Sequence, residues 1–440
     1  MIWFALISTA LASSTAGMSL TPLGGGLAGI TEPGVLGLPA TPAAAISTSP
    51  ELAIDAGINA YEFTAELDGA NAETARGTVP MPYVGATLPF GRWGLGAYGM
   101  IPHGGGVAMA EDGAQRFHAI ESQAHVIEGG IAIARSFGQR LTLGASARAG
   151  MATLTKDTAM NTAALVNSTA DLDHRIDPSD PLWQGRQALD VKGFGIGFGI
   201  GANLNLGHQW SMHASYRSPM KTPVSGTVDL RPSDDLPLAM SGKADGTLTH
   251  AQEFELGISG PLGPTRVSAV GGWTDWTGMN EVDIEVRNLQ VSSENSSMES
   301  LLTSAGANEA DILAAGTNIH SNLGHGSAFH AGAAIAVPVS KRLLLRPAFQ
   351  YAGTTLPDES FHVGIADFAA LDLRLSAAHS TTEWLTIALS VDHFLIPDRT
   401  ITNSSLSFDN AASSGRVLNS ANGRYSMSAT RAGLTVITRL

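Results

Sequence analysis

The sequence predicts an all-β protein, a 14-stranded antiparallel transmembrane β-barrel with an N-terminal plug segment inside the lumen, and three patterns support the barrel. Residues 194–206 carry an apolar side chain at every even position and Gly or Asn at every odd position, so a strand there has one apolar and one nearly bare face. Alternating runs recur from Pro50 to the C-terminus. The connections between them are alternately short and long, which is typical of outer-membrane barrels.

Composition narrows the class of protein. A soluble β-sandwich also alternates apolar and polar residues, so no single run distinguishes it from a membrane barrel. The chain has 440 residues, 50 of them Gly, with only 15% charged residues, and beyond the N-terminus it lacks an apolar run of the roughly 18 residues that a membrane helix needs. Acidic residues outnumber basic ones by 39 to 25, which argues against nucleic acid as a partner. The absence of Cys excludes disulfides and thiolate metal sites.

The N-terminal part is expected to lie outside the barrel wall. Residues 1–16 combine an apolar core with small residues, which indicates a secretory signal peptide, with a buried N-terminal strand as the alternative. Residues 17–49 are rich in Gly, Ala, Pro and Thr, yet carry many Leu and no sustained period. A linker would be more polar, so enclosure inside a barrel explains this segment better. Residues 50–440 are assigned to the transmembrane barrel.

Fourteen runs are expected to form antiparallel neighbours in the wall. In 253–258, for example, Glu and Gly alternate with Phe, Leu and Ile. The expected strands are 51–65, 78–89, 92–101, 124–136, 140–153, 190–206, 209–229, 246–260, 265–288, 325–338, 342–356, 367–379, 384–401 and 424–440.

Some connecting segments have helical spacing of apolar residues. Residues 297–305 and 308–315 show it most clearly, and 158–166 shows it more weakly. Such helices would serve either as an apolar landing site for a ligand or simply as a cap on the barrel.

Enzyme signatures are missing from the sequence. It contains no G-x-S-x-G elbow, no H-E-x-x-H motif and no Walker loop. His320 and His325 lie five residues apart on a Gly-rich stretch, and we do not expect them to bind metal. We therefore expect no enzyme activity, no catalytic residues, no cofactor and no metal.

Several segments resemble the outer-membrane long-chain fatty acid transporters, the FadL-type hydrophobic-compound channels. The resemblance is diffuse and runs in order along nearly the whole chain. Thr41 stands where that family has Asn, and the chain ends in Leu440 where barrel proteins commonly end in an aromatic residue. The similar segments are Tyr216 to Gly226, Trp273 to Thr277, Pro89-Phe90-Gly91 and Thr41-Pro42-Ala43-Ala44.

This resemblance implies a plugged barrel from which substrate leaves sideways, through a gap beside a kinked strand. The plug residues would be Thr41, Pro42 and Ala43. The candidate kink positions are Gly94, Gly96, Gly99 and Pro102, for which tight packing against the plug is the alternative. The candidates for binding a substrate carboxylate are Arg148, Arg217 and Arg346, which could instead pair with Glu253, Glu255, Asp372 and Asp392 across the barrel.

The function expected from the resemblance is passive transport of hydrophobic small molecules across the cell outer membrane of a Gram-negative bacterium by a multi-pass barrel. Long-chain fatty acids and aromatic hydrocarbons both remain open as substrates. The expected partners are the substrate, outer-membrane lipid and the barrel assembly machinery. The alternatives are a polar-solute porin, which should have an open charged lumen, and a surface adhesin or structural barrel whose loops carry the function.

Overall fold

Strand pairing continues around the whole molecule, because the last strand pairs with the first from Glu51 opposite Arg439 to Leu67 opposite Gly423. The structure is a computed structural model, and it describes residues 34–67, 70–161, 184–231, 238–279, 281–293, 318–322, 324–361, 363–364, 367–404 and 421–440. The signal peptide predicted at 1–16, and residues 17–33 of the predicted plug, lie outside the described residues.

The described part of the wall consists of nineteen strand segments. They are β1 Glu51–Leu67, β2 Glu73–Phe90, β3 Trp93–Ala108, β4 Glu121–Phe137, β5 Leu141–Asn161, β6 Gln184–Gly207, β7 Trp210–Arg217, β8 Met220–Arg231, β9 Leu238–His250, β10 Gln252–Leu262, β11 Thr265–Asp275, β12 Glu281–Ser293, β13 Asn318–Asn322, β14 Ser327–Pro338, β15 Leu343–Ala352, β16 Ala370–Ser380, β17 Leu385–Leu395, β18 Arg399–Ile401 and β19 Gly423–Arg439. Five successive pairs, β7 with β8, β9 with β10, β11 with β12, β13 with β14 and β17 with β18, are the two parts of one barrel strand. The predicted closed barrel of 14 antiparallel strands is therefore confirmed.

The two ends of the barrel differ in their connections. At one end, here called the turn end, all connections are short: 91–92, 138–140, 208–209, 263–264, 339–342 and 381–384. Gly91 and Gly138 adopt positive φ there, which an L-residue with a side chain rarely adopts. The opposite end, here called the loop end, carries the longer connections. The predicted alternation of short turns and long loops is thus present.

Four neighbouring barrel strands are interrupted at the same height. The interruptions fall between β7 and β8, β9 and β10, β11 and β12, and β13 and β14. The residues beside them are adjacent across the sheet, since Arg217 pairs with Glu253 and Asp275 pairs with both Gln252 and Ser327. We call this feature the break row. Pro219 accounts for the first interruption because it has no N–H to donate to the ladder.

The polarity of the wall reverses at the break row. Below it, towards the turn end, Phe254, Leu256 and Ile258 of β10 point outward and are exposed, as in a barrel surrounded by lipid. Above it, β8 and β9 bury their apolar residues inside and expose residues such as Lys221 and Lys243. The turn-end part is therefore built for lipid outside, and the loop-end part for water outside.

The glycine-rich strand β6 follows the orientation that its alternation predicts. Phe194, Ile196, Phe198 and Ile200 are exposed on the outer surface. The glycines between them face inward, where a Cβ at Gly197 would lie 3.2 Å from the Arg148 guanidinium. The bare face thus gives other groups room in the lumen.

The described residues contain little helix, and no described helix is long and apolar enough to cross a bilayer. The helices predicted at 297–305 and 308–315 lie outside the described residues. The helix predicted at 158–166 is wrong for residues 158–161, which extend β5. Thr158 points inward, as does Leu154 four residues earlier in β5. These residues therefore alternate between the two faces of the wall, as residues of a strand do.

Candidate functional site

The chain before β1 folds into a compact loop inside the barrel, and we call residues 34–46 the internal segment. It contains two short 3-10 turns, Val35–Gly37 and Pro42–Ala45. The Gly34 N–H donates to the Ala44 carbonyl oxygen at 3.0 Å and closes the loop. Most of its side chains are buried against the inner faces of β2 to β6, which matches the enclosure expected from its apolar composition. That it plugs the barrel stays a prediction.

Two of the predicted kink glycines instead provide space for the internal segment. A Cβ at Gly94 would overlap the Ala45 carbonyl oxygen, and a Cβ at Gly96 would lie 2.5 Å from Leu38 Cδ2. Both glycines are buried and face the lumen. In this structure the two glycines let the internal segment approach the wall closely. Tight packing of this kind was the alternative to a kink in the sequence analysis.

The predicted plug residues Thr41, Pro42 and Ala43 contact two further glycines of the wall. A Cβ at Gly144 would lie 2.5 Å from the Ala43 nitrogen, and a Cβ at Gly201 would overlap the Thr41 hydroxyl. Thr41 Oγ1 is buried and makes no hydrogen bond. Packing against bare backbone, rather than a polar anchor at position 41, holds this part of the segment in place.

The other two kink candidates lie where β3 leaves β2. The pairing of β2 with β3 ends at Tyr83 and Met100, although both strands continue towards the loop end. The register of β3 against β4 shifts between Met100 and His103, around Pro102. A Cβ at Gly99 would make an ordinary contact. We call the unpaired region between the two strands the β2–β3 gap.

A tyrosine side chain crosses the β2–β3 gap. The Tyr61 hydroxyl, on β1, donates a hydrogen bond to the Gly106 carbonyl oxygen on β3. Its ring lies over Gly77 of β2, where a Cβ would overlap the phenol. The gap is thus bridged on its inner side by a group that rotation about side-chain bonds can move.

Polar side chains converge in the lumen at the height of the break row, where Glu128 of β4 lies between two arginines. Arg148 Nη1 and Arg217 Nη2 each donate to the Glu128 carboxylate at 2.9 Å. Arg217 Nη1 also donates to the Pro39 carbonyl oxygen of the internal segment at 2.9 Å. Two of the three head-group candidates are therefore engaged with the protein itself, through an acid that was not among their expected partners.

The remaining residues of that prediction lie elsewhere in the wall. Arg374 pairs with Asp372 and with Asp392 at 3.0 Å each, and Arg431 also pairs with Asp392. This buried group connects β16, β17 and β19. Arg346 is half-buried on β15 and pairs in register with a residue of β16. The structure therefore does not bring Arg346 together with Arg148 and Arg217.

The loop-end half of the lumen is apolar. Side chains from strands and loops around the barrel form one buried cluster there, including Phe63, Leu154, Val191, Leu248 and Phe361. Its members lie above the break row or at the corresponding height on other strands. The interior thus offers apolar surroundings just where a molecule from the loop end would arrive.

A single lysine lies among these apolar side chains. Lys156 of β5 points inward, pairs in register with Ser122 and Leu189, and is fully buried. Its Nζ makes no hydrogen bond, although a buried charge usually has a partner. Sequence analysis did not identify it, because nothing in its strand distinguishes it from a lysine on the outer surface.

Comparison with known proteins identifies the fold. No protein-family model matches the sequence, and no curated protein matches it. Solved structures do match: a FadL homologue of Pseudomonas aeruginosa has a TM-score of 0.75 at 13% identity, covering 99% of each chain. The toluene transporter TbuX of Ralstonia pickettii has a TM-score of 0.64 at 14% identity over 100% of both chains. The toluene transporter TodX of Pseudomonas putida has a TM-score of 0.66 at 13% identity over 99% of both. The chain has the fold of these barrels.

Proposed function

We propose that the protein is a passive transporter of hydrophobic small molecules across a Gram-negative outer membrane, and not an enzyme. The observation that carries this proposal is the apolar loop-end half of the lumen. A pore for polar solutes needs a hydrated, polar interior. An apolar molecule instead gains about 0.8 kcal/mol for each CH₂ group that it buries, so this interior favours hydrocarbons.

Two obstacles inside the barrel, the layer of buried charged side chains and the internal segment, determine the route of the substrate. The internal segment occupies the turn-end half, where Arg217 and four close-packed wall glycines hold it. A substrate moving straight down would have to cross the charged layer and then displace the segment. The β2–β3 gap offers a sideways exit near the upper border of the lipid-facing surface, where Val84 is still exposed. An apolar molecule would pass directly from the apolar cluster into lipid.

The buried Lys156 helps to distinguish between charged and uncharged substrates. The solved neighbours include transporters of toluene, which is uncharged, as well as a FadL homologue. Burial without a partner lowers the pKa of the Lys156 amine, whereas a carboxylate beside it would favour the ammonium form and accept a charge-assisted hydrogen bond from it. Toluene offers nothing comparable. We therefore favour long-chain alkyl carboxylates, with Lys156 rather than Arg148 or Arg217 holding the head group.

The barrel would meet two further partners in this role. Outer-membrane lipid would surround the exposed apolar side chains of the turn-end half, and the barrel assembly machinery would insert the chain. A polar-solute porin is disfavoured by the apolar cluster. An adhesin would not need an apolar interior joined to a gap in the wall.

The function is tested by uptake into lipid vesicles that contain the purified barrel. We expect a labelled long-chain fatty acid to enter faster than in protein-free vesicles, while a labelled sugar stays out. Deleting residues 34–45 should let the sugar in, because the internal segment no longer fills the turn-end half of the lumen. If the intact barrel passes the sugar, or passes no apolar label, the proposed function is wrong.

The substrate class is tested by Lys156→Met, with Lys192→Met as the matched control, because Lys192 is an exposed lysine on the neighbouring strand β6. We expect K156M to weaken uptake of the fatty acid and leave toluene uptake unchanged. K192M should change neither. Equal effects of K156M on both substrates would remove the argument for a carboxylate head group.

A further inference from the structure

The lumen at and just below the break row contains a group of side chains that transport does not require. Glu253 and Glu255 of β10 point inward beside His330 of β14, and one potential ligand atom from each lies within 4.8 Å of the others. His213 of β7 lies on the other side of Glu255. These residues come from β7, β10 and β14, so the group exists only when these strands are assembled in the wall.

Two glycines bring the imidazoles to Glu255. Gly272 of β11 separates His330 from Glu255 in the sheet, and a Cβ there would overlap the His330 ring. Gly257 of β10 gives His213 the same room on the other side. His213 Nε2 lies 3.2 Å from Glu255 Oε1, and His330 Nε2 lies 3.5 Å from Glu255 Oε2. Any side chain at either glycine would push an imidazole out of this position.

His330 has hydrogen-bonding capacity that the protein does not use. Its side chain is fully buried, its Nδ1 makes no hydrogen bond with any described residue, and its Nε2 has only Glu255 Oε2 beside it, at 3.5 Å. A buried imidazole ordinarily has at least one partner. Glu253 and Glu255 also border a small cavity, together with Ala40 of the internal segment and Arg217. The unused nitrogen and the two carboxylates thus converge in one place.

The charges of the surrounding lumen leave room for a cation. Glu128, Glu253 and Glu255 face Arg148 and Arg217, the two basic side chains of this layer. Three carboxylates against two guanidinium groups leave one negative charge if both imidazoles are neutral. Because an uncompensated charge is costly in a buried site, a protonated imidazole, a protonated carboxyl group or a bound cation is needed here.

We propose that Glu253, Glu255 and His330 form a site for a divalent first-row transition cation, for which Zn²⁺ is the probe. One imidazole and two carboxylates are a ligand set that such ions accept. Two ligands of one tetrahedral zinc lie about 3.4 Å apart if each bond is about 2.1 Å long, close to the 3.5 Å between His330 Nε2 and Glu255 Oε2. His213 holds the second oxygen of Glu255 and so acts as a positioning residue for that ligand.

The site would join strands that do not pair with each other. β10 and β14 are separated by β11, so a shared ion connects them directly. The ion would also lie beside Ala40 and so support the wall against which the internal segment packs. Its effect would be on the stability of the barrel, independent of any transported molecule.

The test is titration of the folded full-length barrel in detergent, purified without a polyhistidine tag and first treated with a chelator. We expect one Zn²⁺ to bind per chain, and Co²⁺ to acquire the visible absorption of a site with nitrogen and oxygen ligands. His330→Asn and Glu253→Gln should abolish this binding, while His213→Asn should weaken it about 10- to 100-fold. His379→Asn, at an exposed histidine on β16, should bind as the wild type does.

Wild-type barrel that binds no Zn²⁺ at pH 7.5 would overturn the proposal and leave a protonated imidazole or a protonated carboxyl group as the explanation of the charge balance. Binding that survives in both H330N and E253Q would also overturn it. The folded state of each variant is checked by its heat-sensitive gel mobility, and the wild-type titration decides the question even if a variant does not fold. Since no uptake is measured, failure here is separate from failure of the transport proposal.

Discussion

Replacing Glu128 by Gln should be among the most damaging conservative substitutions in this barrel. The carboxylate accepts hydrogen bonds from Tyr98 at 2.8 Å and from Arg148 and Arg217 at 2.9 Å. Both ion pairs are buried, with side-chain exposures of 3% to 7%. The amide keeps the shape of the side chain but removes the charge, so two buried guanidinium groups lose their shared counter-charge. Breaking such a buried pair from one side costs about 3–5 kcal/mol.

The measurement is the free energy of unfolding in lipid vesicles, by guanidinium titration followed by tryptophan fluorescence. The matched control is Glu62→Gln, because Glu62 pairs with Arg76 on the barrel surface at side-chain exposures of 44% and 77%. An exposed pair of this kind contributes about 0–1 kcal/mol. If E128Q costs no more than E62Q, the buried group does not hold the lumen together, and the reasoning about its charges fails.

Three further outcomes are expected. Burial lowers the pKa of His325 from 6.5 to about 4, so the stability that neutral His325 contributes is complete above pH 6.5 and is lost as the pH falls to 4. Unfolding titrations at several pH values should show that the wild type loses about 3 kcal/mol of unfolding free energy relative to H325N over this range. Equal pH profiles of the two proteins would contradict this. Gly94→Val should push the internal segment away from β3 at Ala45 and admit sugar into vesicles. Gly99→Val should not admit sugar, because a Cβ at Gly99 makes only an ordinary contact. Equal sugar leakage through the two variants would contradict the packing argument. Tyr61→Phe removes the hydrogen bond across the β2–β3 gap and should speed fatty acid uptake, and unchanged uptake would mean that the gap is not the exit.

Much of the wall was predictable because lipid imposes a regular pattern on it. Each strand must show an apolar side chain outward at every second position, as residues 194–206 do. The same alternation also predicts the number of strands and the order of short turns and long loops. The alternation does not depend on which residue of one strand pairs with which residue of another, so the local sequence is enough to predict it.

The site was less predictable because its partners come from distant strands. Arg148 and Arg217 lie in the lumen, but their shared acid, Glu128, lies on β4 and follows a run with no distinctive motif. Lys156 could be recognised only when the absence of a partner was visible. For Gly94 and Gly96, glycine permits both a kink and a close approach, and only the position of the internal segment distinguishes the two.

The break row also makes the barrel divisible. Below the break row the wall exposes apolar side chains on its outer surface, as a membrane protein does. Above it, β8 and β9 bury apolar side chains and expose polar ones, as a soluble protein does. A designer could therefore exchange the loop-end part for that of another barrel with the same row, altering the chamber that receives the ligand while the half that must insert into the bilayer keeps its own sequence. Selection on ligands and selection on membrane assembly would act on different residues of the same strands.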